Sequence, residues 1–234
     1  IEGRIVTFKE TLLPLWVPVF LVLALILPAN FSTAAIIFAM VSLLVFIGGY
    51  PLKYLAIILG AGLLMLSLFV VTAKAFPGVF PNRVDTLISR LESFADKTDT
   101  EANYQIDQAK IAIASGGITG LGPGKSVQKN FLPQSSSDFI YAIIVEEFGI
   151  VGALGIMIVY LMLLFRLVIV AHKSSDMFSK LLVIGVGLPI VFQALINMAV
   201  AVSLFPVTGQ TLPLISSGGS SIWMTCLALG MVLS

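Results

Sequence analysis

Apolar runs near the length of a bilayer crossing recur along this chain, and no other feature restricts its fold as strongly. They occupy residues 12–27, 34–47, 52–72, 139–171 and 181–204, and a sixth begins near residue 222. A hydrocarbon core of about 30 Å takes roughly 20 apolar residues in helical form. Mean hydropathy is +1.06, and only 11% of residues are charged. The chain therefore reads as an all-α polytopic membrane protein with six transmembrane helices and no separate soluble domain. A net charge of +1 without any basic block gives no support to nucleic-acid binding. The single cysteine, Cys226, has no partner for an intrachain disulfide. The last run stops at Ser234 without a polar exit, so the chain reads as a piece of something longer.

The connections are unequal. Residues 28–33 form a short polar break, and Gly48-Gly49-Tyr50-Pro51 is a turn signal. Residues 73–138 make a far longer excursion, of the kind that usually carries function. Within it Val84, Leu87, Ile88, Leu91 and Phe94 recur at helical spacing, predicting an amphipathic helix. A second helix is expected over 103–115, ended by Gly116-Gly117 as a C-cap. The run 139–171 exceeds the bilayer core, so part of it should tilt or project. The run 181–204 is broken by Gly185, Gly187 and Pro189, and residues 205–221 are rich in Pro, Gly, Ser and Thr with no charge. Arg4, Lys9, Lys53, Arg166, Lys173 and Lys180 all fall on one side of a six-span arrangement. Cytoplasmic loops carry that excess, so the 73–138 loop faces outward.

Polar chemistry concentrates in residues 116–147. Thr119-Gly-Leu-Gly-Pro-Gly124-Lys125-Ser126 resembles a phosphate loop but has Thr119 where the first glycine is required. Glycines that allow close backbone approach to an anion remain, with Lys125 and Lys129 supplying charge; a plain flexible turn between helices is the competing reading. Asp138 follows three serines and opens an apolar helix. It suits an N-cap, and at the outer membrane boundary it equally suits a general base. Glu146 and Glu147 lie about two turns further on, where ionisable groups are costly and are retained for function or pairing. Gln193 and Asn197, spaced i, i+4, share one helix face and predict hydrogen bonds between helices. The small residues of Ser216-Ser217-Gly218-Gly219-Ser220-Ser221 suggest close packing or a ligand, while His172 reads as solvated. No metal-ligand cluster is visible in the sequence.

Two stretches carry a specific resemblance: NYQIDQAKIAIASGGITGLGPGKSVQKNFLPQSSSDFIYAIIVEEFGIVG and QALINMAVAVSLFPVTGQTLPLISSGGSS. With their order, their spacing and the long loop between spans, the chain resembles the SEDS family (shape, elongation, division and sporulation), over essentially its whole length. The resemblance implies helices 5–10 of a ten-span fold, with the first four absent and 1–234 forming one domain. It implies a peptidoglycan glycosyltransferase that polymerises lipid II at the outer face of the bacterial cytoplasmic membrane, at the division septum. Asp138 matches the family's essential aspartate and would deprotonate the acceptor's sugar hydroxyl. Undecaprenyl pyrophosphate on the growing glycan would then depart, its charge offset by cationic groups or a divalent metal, magnesium or manganese. The substrate-binding set comprises Lys125, Ser126, Gln128, Lys129, Glu146, Glu147, Ser216, Ser217, Gly218 and Gly219. The implied partners are a class B penicillin-binding protein (FtsI-like) and other divisome proteins. Asn30 stands where the family often has an acidic residue, and Ser203 and Gln210 also depart from its commoner pattern. A lipid II flippase, or a scaffold recruiting its transpeptidase through the 84–94 helix, are the rival readings.

Overall fold

The computed structural model describes residues 8–75, 101–133 and 135–233. The amphipathic segment expected at 84–94 lies outside these residues. Among the described residues there is no strand. The helices are α1 (Phe8–Ile26), α2 (Phe31–Ile47), α3 (Leu52–Ala75), α4 (Glu101–Gly116), α5 (Ile140–Lys173), α6 (Met177–Ala201) and α7 (Gly219–Leu233). Four helices are long and apolar enough to cross a membrane: Phe8–Ile26, Leu52–Thr72 within α3, α5 and α6. The other two apolar runs are helical but shorter, 17 residues in α2 and 15 in α7.

The described residues form two compact units. The first holds residues 8–75 with Asp176–Leu181. In it Pro14 falls inside a π-helical turn, Leu12–Trp16, that interrupts α1. A missing N–H at proline forces such a local adjustment. The turn presents Trp16, fully buried, to Tyr50. The indole N–H donates to the Tyr50 hydroxyl at 3.3 Å, which also meets Thr11 Oγ1 at 2.9 Å. Asn30 caps α2, its Oδ1 accepting the Thr33 N–H at 3.1 Å, and Gly49 ends that helix at φ 83°. A cavity of about 360 Å³, walled by apolar residues including Phe20, Phe38 and Leu63, lies between α1, α2 and α3.

The second unit holds the described part of residues 101–175 and residues 182–233. Its core joins Ala109 and Ala112 of α4, Tyr141, Ala142 and Val145 of α5, and Ala194, Met198 and Ala201 of α6. Ala109, Ala112 and Ala142 let α4 and α5 approach closely. Of the long runs, the one expected to be broken is continuous, and the longest carries a break. α5 is not one continuous rod: Gly149, at φ 67° and ψ −165°, breaks it. Residues 150–173 alone span about 36 Å at 1.5 Å per residue, enough for a crossing. By contrast α6 is continuous through Pro189, because one missing N–H removes a single rung from a helix packed along its length. Gly187 serves packing instead: a Cβ there would lie 2.4 Å from Leu167 Cδ2.

α6 ends in a paired closure, with Ser203 N–H donating to Val200 O at 3.0 Å and Leu204 N–H to Ala199 O at 2.8 Å. Such a closure needs a left-handed residue, ordinarily glycine. Here Ser203 takes it at φ 61°, and its hydroxyl is buried with no partner. Left-handed backbone costs an L-residue about 1–2 kcal/mol. Ser203→Gly is therefore expected to stabilise the protein by about 0.5–1 kcal/mol, since glycine's extra freedom in the unfolded chain offsets part of the relief. A thermal melt in detergent should show the midpoint rise by roughly 1–4 °C.

Candidate functional site

The site grows from the place where the residues after α4 cross the break in α5. Gly117 leaves α4 at φ 54°, as a C-cap glycine should. Leu121 N–H then donates to Glu146 O at 3.0 Å and Gly122 N–H to Glu147 O at 2.9 Å. In return Ile150 N–H donates to Gly117 O at 3.0 Å. Main chain lies directly on main chain here. A Cβ at Gly116, Gly120 or Gly149 would stand 2.1 to 2.2 Å from a carbonyl oxygen of the other segment. These glycines thus permit close approach between two parts of the chain.

Glu146 sits beneath this crossing, 1% exposed. Its carboxylate accepts from Ser126 Oγ, from Val127 N–H at 3.1 Å and from Gln128 N–H at 3.3 Å to each oxygen. Ser126 Oγ in turn accepts Lys129 N–H at 3.1 Å. The donors that head the short 3-10 turn Gln128–Asn130 therefore close on the chain's own carboxylate. The structure brings Ser126, Gln128 and Glu146 together, with Lys125 and Lys129 exposed on the same loop. Among the described residues neither lysine has an ion pair. Glu147 is half-buried, and its contribution at the crossing is its carbonyl.

Asp138 lies at a second junction, between the end of the long loop and residues 202–218. Its side chain is not a helix cap: the N-cap of α5 is Phe139, with no side-chain hydrogen bond. Asp138 Oδ1 accepts from Ser137 Oγ at 2.7 Å. Oδ2 has no protein donor among the described residues, and a Cβ at Gly209 would stand 3.6 Å from it. Three side chains pin the surrounding backbone. Asn197 Nδ2 donates to Asp138 O and to Gln210 O, each at 2.7 Å. Ser216 Oγ donates to Ser137 O and accepts Leu212 N–H, both at 2.7 Å. Ser217 N–H and Oγ reach Ser136 O at 2.9 and 3.0 Å. Gly218 N–H closes on Ser216 O at 2.8 Å, and Gly219 begins α7.

Gln193 donates to Thr211 O at 3.0 Å. The two amides of α6 therefore grip a loop, and the expected bonds between helices are not what they make. The sequence also passed over Tyr160, buried in α5, whose hydroxyl donates to Pro213 O. A lone tyrosine in an apolar run carries no local signal for such a partner. The excess length of the 139–171 run was the available signal for the break at Gly149.

A divalent ion held by protein alone wants several carboxylates or histidines. The described residues contain no group of three such side chains, so the donor set does not form a cage.

A family described as cell cycle protein, covering the FtsW, RodA and SpoVE types, matches residues 4–234. A protein of Saccharophagus degradans named probable peptidoglycan glycosyltransferase FtsW is 37% identical over 91% of this chain and 54% of its own length. One of Xanthomonas oryzae pv. oryzae with the same name is 36% identical over 97% of this chain and 46% of its own. The chain thus spans about half the length of these relatives. A solved structure titled as showing coordination of polymerisation and crosslinking by a peptidoglycan synthase complex superposes with TM-score 0.70 at 29% identity, covering 100% of this chain and 63% of its own.

The glycine crossing makes a paired prediction. Gly120→Ala meets both a backbone clash and left-handed strain at φ 78°, whereas Gly124→Ala at φ 74° meets open space. Strain alone should cost Gly124→Ala about 1–2 kcal/mol, with a further 1–3 kcal/mol or more in Gly120→Ala; thermal midpoints of the two variants check the difference. Glu146→Ala orphans the donors at 126–128, at about 1.5–3 kcal/mol for each bond to the charge. It should open residues 117–133 to limited proteolysis while the helices stay intact.

Proposed function

The chain belongs to the FtsW/RodA/SpoVE family of cell cycle proteins, and on that footing we propose that it carries the transfer site of a peptidoglycan glycosyltransferase, with Asp138 as the general base. The observation that carries the reading is the state of Asp138. Asn197 holds its carbonyl and Ser216 holds that of the preceding Ser137, while Oδ2 keeps a lone pair free of protein donors among the described residues. A base needs that combination of fixed position and open acceptor.

In the proposed reaction an acceptor lipid II offers a sugar hydroxyl to Asp138. As the proton passes to the carboxylate, the hydroxyl oxygen bonds to the anomeric carbon of the growing glycan. The bond from that carbon to undecaprenyl pyrophosphate breaks, and the pyrophosphate leaves with the electron pair. Lys125 and Lys129, exposed and without ion pairs among the described residues, are the cations we assign to the leaving charge. Ser126, Gln128 and Glu146 hold their loop in place, and Glu147 supports the crossing. Ser216, Ser217, Gly218 and Gly219 shape the acceptor side.

The proposal includes six spans, residues 73–138 outside the cytoplasmic membrane, and work at the division septum. It includes a class B penicillin-binding protein as partner, which the resemblance to a peptidoglycan synthase complex supports. Against a carrier of lipid stands Glu146: its carboxylate is spent on the 126–128 loop, not offered along a path.

Asp138→Asn in the full-length protein, assayed with its cognate transpeptidase on lipid II, should lower glycan polymerisation by about 10²–10⁴-fold, the usual worth of a general base. Unaltered thermal midpoint and partner binding would tie the loss to chemistry, and undiminished polymer would rule the base assignment out.

A further inference from the structure

Two carboxamides lie one turn apart on the same face of α6 and hold the same loop. Gln193 takes Thr211, through its carbonyl at 3.0 Å and its hydroxyl at 3.2 Å. Asn197 takes the neighbouring Gln210 carbonyl and, with its other N–H, the carbonyl of Asp138. Both fasten the loop. Only Asn197 reaches the residue proposed as base.

The remaining atom of Asn197 is informative. Both of its amide partners are carbonyl oxygens, which fixes Nδ2 as the donor and leaves Oδ1 facing elsewhere. Oδ1 is buried, in a residue 1% exposed, and has no hydrogen-bond partner among the described residues. A desolvated acceptor without a donor costs stability, and such exceptions in a native interior call for a reason. Ser216 ties the same two segments with one hydroxyl and leaves nothing unsatisfied. Joining two carbonyls takes two donors on one group, which the Asn197 carboxamide supplies and a single hydroxyl cannot.

We infer that Asn197 is a positioning residue for the transfer step: by joining the carbonyls of Asp138 and Gln210 through one rigid NH₂ group, it sets where the Asp138 carboxylate stands over Gly209. The inference rests on the glycosyltransferase reading above. The geometry is short. The Asp138 carbonyl is held 2.7 Å from Nδ2, and the aspartate side chain leaves the same residue's Cα. Gly209, at φ 69°, passes beneath Oδ2 with no side chain to displace it, and it immediately precedes Gln210, the other residue Asn197 holds. Base and floor are thus referenced to one side chain.

The test measures kcat and KM for lipid II polymerisation by the full-length protein purified with its transpeptidase. Rates are expressed per folded molecule, for Asn197→Ala, Gln193→Ala, Asp138→Asn and the double variant Asp138→Asn/Asn197→Ala. Asn197→Ser, which keeps one donor, stands in should Asn197→Ala fail to fold. Misplacing a reacting group by about 1 Å costs up to about 10²-fold, so Asn197→Ala should lose about 10- to 100-fold in kcat with KM within about twofold. Gln193→Ala should lower the thermal midpoint comparably yet keep kcat within about threefold of wild type, because it frees the loop without touching Asp138. In the double variant the Asn197 change should add no further loss, as expected when it acts through Asp138. Equal kcat losses in the two amide variants, or wild-type kcat in Asn197→Ala beside an inactive Asp138→Asn, overturns the positioning role alone. An active Asp138→Asn overturns the parent reading and this role with it.

Discussion

The loop after α4 and the break in α5 both depend on a crossing made by main chain. Residues 117–122 and 146–151 exchange four backbone hydrogen bonds across a gap that admits no Cβ at Gly116, Gly120 or Gly149. Two segments can lie this close only if glycine stands at each contact. The break in α5 and the shape of the loop are therefore one event: the helix opens at Gly149 and the loop occupies the space. Were α5 continuous, its N–H groups at 150 and 151 would turn back into the helix and the loop would lose its seat.

Burial of Glu146 follows from that seat. A carboxylate removed from water needs several donors to be tolerated, and the loop supplies Ser126 Oγ and two backbone N–H groups. The loop in turn has no helix or sheet to satisfy those donors. Each side resolves the other's deficit, and the consequence for function is that Lys125 and Lys129 sit on a fixed loop with their charges unpaired among the described residues. An arrangement that resembles an anion-binding loop in sequence binds an internal anion in structure.

Around Asp138 the same economy of polar groups holds, with a different result. Ser136, Ser137 and Asp138 all present their carbonyls to residues of the 197–217 region. Main-chain pinning restricts the aspartate without consuming its carboxylate. The strain in this unit is close by: Ser203 at φ 61° and Leu214 at φ 67° bracket the loop. Left-handed non-glycine residues persist only where their surroundings over-determine them: Val200 O accepts the Ser203 N–H itself, and Leu212 O accepts the N–H groups of Ile215 and Ser216 just after Leu214.

The sequence by itself determined the helical class, the positions of all six apolar helices to within a few residues, and the C-cap at Gly116-Gly117. These depend on local periodicity and local caps, which a linear string displays. It also singled out Asp138, Glu146 and the two lysines, because a charged residue beside hydrocarbon is conspicuous wherever it occurs. Which group pairs with which was decided only by tertiary structure. Asn197 finds Asp138, Ser216 finds Ser137 and Tyr160 finds Pro213 across separations of 59, 79 and 53 residues, and an amide or hydroxyl in an apolar run looks the same whether its partner is a helix or a loop. The choice at Asp138 between capping and an open acceptor belongs to the same class: it turned on the backbone of Phe139, whose conformation is set by what packs around it.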